Sequence, residues 1–128
     1  MRVLLDTHAL LWITADSERL SPAARQMAGD AAVVKLVSIA SLWEIAVKVR
    51  LKKLELGMEF DDLVDLIERQ RLAEILPIAP AHVKRLPHLE MHHRDPFDRM
   101  LVAQALVENL TLVSADASLD VYGVQRLW

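Results

Sequence analysis

The chain has 128 residues, of which 53% are hydrophobic and 26% charged, with a formal net charge of −3. That is enough for one domain, residues 1–128, with a packed core, and it argues against a disordered chain. The balance excludes a uniformly basic nucleic-acid glove but not a local basic stripe, and the absence of cysteine excludes a disulfide scaffold, a zinc ribbon or a thiol nucleophile.

In chain order, Arg2 to Leu5 is short and apolar and stops at Asp6, as a buried strand does. His8 to Thr14 predicts a helix. Ser21-Pro22 places a cap before a proline at the first helical position, so a second helix runs to about Gly29. Ala32 to Val37 is β-branched and apolar, a second strand. From Ile39 to Lys53 the apolar residues Ile39, Leu42, Trp43, Ala46, Val47, Val49 and Leu51 fall mostly on one helical face. Phe60 to Arg71 repeats that period with Leu63, Val64, Leu66 and Ile67. Glu74 to Ile78 predicts a strand closed by Pro80, and Ala81 to Leu86 a short helix. Asp95 caps a long helix over Pro96 to Asn109. Thr111 to Ser114 is a strand, Ala117 to Asp120 a helical turn, and Val124 to Leu127 an edge strand. Strands alternating with helices, without polar alternation in the strands, predict a three-layer α/β/α sandwich around a mostly parallel five-stranded sheet. No stretch reaches the roughly 18 apolar residues of a membrane span. Asp6 and His8 interrupt the apolar N-terminus, so a cytoplasmic protein is expected.

The acidic residues fall at telling places. Asp6 directly follows the first strand, and Asp116 lies two residues beyond Ser114 at the end of another. Ligands of open parallel sheets bind outside the carboxyl ends of the strands. Glu44 lies early in the helix after the second strand, and Asp95 and Asp98 open the long helix. Each acid also has a capping explanation: Asp6 for the first helix, Asp95 and Asp98 for the long helix, Asp116 for its turn, and Ser41 with Glu44 as a capping box. Capping accounts less well for so many acids at one sheet edge. Converging carboxylates repel and are usually reconciled by a hard divalent cation. Oxygen donors without cysteine favour Mg²⁺ over Zn²⁺. Thr7, Ser38 and Ser114, near strand ends, are candidates to support such a site, although local backbone bonding is the better reading for Ser38.

The segments LLDTHALLW (4–12), SIASLWEIAVKVRLKKL (38–54), HRDPFDRMLVAQA (93–105), LVSAD (112–116) and the terminal YGVQRLW occur in an order that resembles the PIN-domain family, and specifically its VapC-type ribonuclease toxins of type II toxin–antitoxin systems. The resemblance implies a PIN fold and a metal-dependent endoribonuclease that cleaves RNA phosphodiester bonds. It matches Asp6, Glu44, Asp98 and Asp116 to the family's four acids. Asp6, Asp98 and Asp116 would bind Mg²⁺ or Mn²⁺, and Glu44 would complete the site or orient water. Thr7 and Ser114 would support the acids, and Asp95 would act as helix cap or outer-sphere helper. The resemblance also implies a homodimer and a cognate antitoxin that wraps the protein with an extended segment.

Lys48, Arg50, Lys52 and Lys53 form a basic stretch, and Arg94 and Arg99 flank the third acidic motif. Lys48, Arg50 and Arg99 are the candidates to contact RNA phosphates, against the alternative of a solvated helix end. His88, His92 and His93 cluster in a loop and are read as structural or weakly substrate-contacting. Trp12, Trp43 and Trp128 are read as core or interface; Leu11, Trp12, Trp43 and Val47 are candidate groove residues. The alternative is a non-catalytic receiver-like or protein-binding α/β module whose acids serve as caps. A receiver needs a second acid beside Asp6 and a late lysine. Thr7 follows Asp6, and no lysine occurs after Lys84. A phosphatase with a nucleophilic carboxylate wants an acid where His8 stands.

Overall fold

A computed structural model describes residues 1–128. Five strands, β1 (Arg2–Leu5), β2 (Val34–Ser38), β3 (Glu74–Leu76), β4 (Thr111–Val113) and β5 (Arg126–Leu127), form one sheet in the order β3-β2-β1-β4-β5. Every pairing is parallel, so the sheet is wholly rather than mostly parallel. Six α-helices connect them: α1 (Thr7–Thr14), α2 (Pro22–Gly29), α3 (Ile39–Arg50), α4 (Phe60–Arg69), α5 (Pro80–Arg85) and α6 (Pro96–Glu108). Two 3₁₀ turns cover Leu86–His88 and Ala117–Tyr122.

Successive residues of a strand point to opposite faces, and β1 divides its side chains accordingly. Leu4 joins Leu36, Leu76 and Leu112 in a core with Leu101, Val102 and Ala105 of α6. Val3 and Leu5 join Val37 and Val113 in a second core, against Ala9 and Leu10 of α1, Ile45 of α3 and Leu63 and Ile67 of α4. The sheet is therefore buried on both faces, which is why its strands show no polar alternation.

Local chemistry sets the boundaries. The second strand begins two residues later than expected, because Asp30 folds the preceding turn: its Oδ1 accepts from the Ala32 amide at 2.9 Å and its carbonyl from Val33 at 3.1 Å. α3 ends at Arg50 rather than Lys53, since Lys52 takes a left-handed φ of 58°. Its N-cap is Ser38, whose Oγ accepts from the Ala40 amide at 3.0 Å. Ser41 and Glu44 thus lie inside the helix, and the anticipated Ser41 capping box does not form. β5 is shorter than expected, two residues at the sheet edge. α6 stops at Asn109, which adopts the left-handed conformation with φ 53°. Asparagine tolerates that region better than most residues.

Candidate active site

The strand order turns at β1. From there β2 and β3 build one way and β4 and β5 the other, so the crevice at the carboxyl ends of β1 and β4 is the topological switch point. Leu5 registers with Val113, and the Asp6 amide donates to the Val113 carbonyl at 3.0 Å, which carries the ladder one residue past β1. Asp6 is thereby fixed at the mouth of the crevice, 8% exposed, with Oδ1 accepting from the Ala9 amide at 2.7 Å as the N-cap of α1. Burial pushes the Asp6 carboxyl above its usual range; the Ser114 hydroxyl, the Ala9 amide and His8 pull it down, and Glu44 pushes it up again.

Glu44 is 4% exposed and is held by both oxygens. The Thr7 hydroxyl donates to Oε1 at 2.6 Å, and Lys48, one turn along α3, donates to Oε2 at 2.6 Å. Ser41, fully buried, shares a 3.1 Å hydrogen bond with the Thr7 hydroxyl. A buried carboxylate is tolerable when paired and hydrogen-bonded in this way. The Glu44 contact raises the Lys48 pKa, to which the charges of Asp95 and Asp98 add.

Asp98 stands in the first turn of α6. Burial and the charges of Asp95, Glu44, Asp6 and Asp116 push its carboxyl from 3.8 up to about 7. Asp95 is the N-cap of that helix, its Oδ1 accepting from the Phe97 amide at 2.8 Å and the Asp98 amide at 3.2 Å. Asp116 caps the following 3₁₀ turn through Ser118, and its own amide donates to the buried Ser114 hydroxyl at 3.1 Å. So Asp6, Asp95 and Asp116 do cap, as one reading of the sequence held. Capping gives no reason for them to repel Asp98 together. No three of the acidic or histidine side chains close on a common point in this conformation, and Lys48 is the cation that reaches into the group. The donor set is nonetheless all oxygen, and its repulsion is what a hard divalent cation relieves.

The PIN domain family profile matches residues 3–124. The chain is 32% identical to Ribonuclease VapC22 of Mycobacterium tuberculosis over 118 residues, 91% of this chain and 88% of that protein. The chain belongs to the PIN-domain family, in its VapC branch. Its fold is shared by the VapBC2 complex of Rickettsia felis bound to a promoter DNA fragment, at a TM-score of 0.70 and 15% identity over 99% of this chain and 98% of that one. It is shared as well by FitAcB of Neisseria gonorrhoeae, at a TM-score of 0.66 and 20% identity over 100% and 97%.

Within this PIN fold the other candidate residues take varied places. Arg99 does not point its charge outward: its guanidinium donates to the backbone carbonyls of Glu90 at 2.9 Å, Leu86 at 3.2 Å and Leu89 at 3.3 Å, bracing the loop before α6. Arg50 is exposed at the end of α3. Ser38 caps α3 rather than touching an acid. Trp43, read as core or interface, is 59% exposed and meets Phe97 of α6 edge-on at 5.1 Å. Trp12 packs between His8 and Trp128, each 5.5 Å away. Ser41 went unrecognised as a partner of Thr7, because a serine one helical turn from a glutamate looks like a cap in sequence. Ser118 was missed too; its only signal is a hydroxyl two residues after Asp116.

Proposed function

We propose that the protein is an endoribonuclease toxin that hydrolyses RNA phosphodiester bonds with the help of Mg²⁺ or Mn²⁺, the toxin half of a type II toxin–antitoxin pair. The observation that carries this reading is the gathering of Asp6, Glu44, Asp98 and Asp116 from four separate elements at the switch point, where burial first, then the charges of Asp95 and of these acids, push the Asp98 carboxyl up to about 7. Family membership and the likeness to a ribonuclease over nearly the whole chain support it. Asp6, Asp98 and Asp116 are the residues that would hold the cation. Such an ion supplies Lewis-acid polarisation of a phosphoryl oxygen and a water activated for attack.

The chain's own residues do the rest. Thr7 and Lys48 fix Glu44 so that it keeps one orientation beside the other acids. Ser114 stands between Asp6 and the Asp116 amide and keeps the two strand-end acids in register. Lys48 and Arg50 lie along α3 where an RNA backbone would approach, and neutralise phosphates without reading bases.

The solved relatives in toxin–antitoxin complexes support a cognate antitoxin as protein partner. A homodimer fits the exposed row formed by Ile39, Trp43 and Val47 on α3 and Leu51 at its C-cap, which a monomer leaves in water. No helix is long and apolar enough to cross a membrane, and we place the toxin in the cytoplasm with its RNA substrate.

The test is cleavage of total RNA by the purified protein. Cleavage should require Mg²⁺ or Mn²⁺, stop with EDTA, and vanish in Asp6→Asn and Asp116→Asn. Cleavage that survives both substitutions or persists in EDTA would overturn the proposal.

A further inference from the structure

The loop histidines are not absorbed by this reading, yet one of them is tied to the site. His93 lies in the segment leading into α6, two residues before the Asp95 cap. Its Nε2 is 2.9 Å from the Ser118 Oγ, and its Nδ1 is 3.0 Å from the Tyr122 hydroxyl. Ser118 in turn holds Asp116: its hydroxyl donates to Oδ1 at 2.5 Å and its amide to the same oxygen at 3.0 Å. The Tyr122 ring lies 5.4 Å from His93 and 5.2 Å from His92, closing a small aromatic cluster around the connection.

Proton counting gives this chain one direction. A carboxylate only accepts, so Ser118 must spend its single hydroxyl proton on Asp116. The Ser118 oxygen can then only accept from His93, which puts the ring proton on Nε2. A neutral ring leaves Nδ1 as an acceptor, so Tyr122 donates. Each group has one role, and no proton is shared or missing. Both bonds from Ser118 fall on Oδ1 of Asp116, so Oδ2 has no partner within the protein.

We propose that His93 is a positioning residue for Asp116, acting through Ser118, and that it ties the segment opening α6 to the turn after β4. It couples two of the acids that come from different elements. Asp98 is set by the start of α6, Asp116 by the turn, and the line from His93 through Ser118 is a polar link between them. A histidine that orients a carboxylate through a hydroxyl plays the part that outer-shell partners play around metal-binding side chains. This inference rests on the assignment of Asp116 to the proposed nuclease site.

The experiment combines three readouts on full-length wild type, Ser118→Ala, His93→Ala, His93→Gln and Asp116→Asn. The first is the ring tautomer of His93 in wild type, from ¹⁵N–¹H correlation spectra. The second is Mn²⁺ affinity by calorimetry, with thermal melting to establish folding. The third is RNA cleavage. We expect the Nε2–H tautomer. Ser118→Ala and His93→Ala should each weaken Mn²⁺ binding by about 10-fold or more, and should lower kcat with little change in KM. His93→Gln, which can still donate from its amide, should recover most of both. An Nδ1–H tautomer would overturn the inference. So would folded Ser118→Ala that binds Mn²⁺ and cleaves RNA like wild type while Asp116→Asn does neither, an outcome that leaves the nuclease reading standing. If Asp116→Asn itself keeps Mn²⁺ binding and cleavage, the nuclease reading fails and takes the positioning role with it.

Discussion

Asp98 holds the strongest electrostatic tension in the molecule, and its consequences are measurable without any substrate. Its carboxyl rises from 3.8 to about 7 because burial and four neighbouring acids disfavour the charge. A folded-state pKa above the unfolded one means that the native state binds the extra proton. The resulting stability is fully present below pH 3.8 and is lost as pH rises through about 7. The melting temperature in EDTA should therefore carry a contribution that falls between about pH 4 and about pH 7, and Asp98→Asn should flatten it. A profile identical in the variant would contradict that assignment. Thr7 acts on the site through a hydrogen bond. It supplies Glu44 with a buried 2.6 Å hydrogen bond, and an unsatisfied buried acceptor costs about 1–3 kcal/mol. Thr7→Val should lose about that much stability in urea unfolding, whereas Thr7→Ser should keep most of it. The position of Thr7 beside Asp6 was legible in the sequence. Its bond to Glu44 was not, because the two lie 37 residues apart and meet only once α1 and α3 pack together.

At the scale of elements, caps were the most readable features. Ser21 with Pro22, and Asp95 with Pro96, mark the starts of α2 and α6 where the structure has them. Capping needs only neighbouring residues, so sequence contains all of it. The over-long third helix shows the limit. Apolar periodicity continues through Leu51, but the backbone turns left-handed at Lys52, and periodicity carries no information about φ. The misplaced capping box shows another limit, since Ser38 and Ser41 offer the same chemistry three residues apart and only the end of β2 decides between them. Ser38→Ala should cost about 1 kcal/mol, read by thermal or urea unfolding. Loss of a buried cap with no measurable change would mean that α3 is started by strand pairing alone. Arg99 illustrates the same gap: beside an acidic motif it looks like a phosphate ligand, whereas its two terminal nitrogens donate to three carbonyls of the preceding segment.

For the molecule as a whole, the wholly parallel sheet follows from the alternation of strands and helices. Its order does not. That β4 lies beside β1, and so carries Asp116 to Asp6, is fixed by which faces the helices cover. The convergence of acids was legible only as far as acids at strand ends imply a shared edge. The exposed row on α3 belongs to this scale too. With Trp43 59% and Leu51 57% exposed, sedimentation should report a dimer for wild type. Trp43→Arg should shift it toward monomer, and a monomeric wild type would remove the reason for the row.

The proposed chemistry depends on acids from separate elements that repel one another at the switch point until a divalent cation relieves them. The most direct test compares the melting temperatures of wild type and Asp98→Asn near pH 8, in EDTA and then with Mn²⁺. The prediction is that Asp98→Asn melts above wild type in EDTA, and that Mn²⁺ raises wild type while leaving the variant almost unmoved. An Asp98→Asn protein that melts at or below wild type in EDTA, with Mn²⁺ acting on both alike, would contradict it.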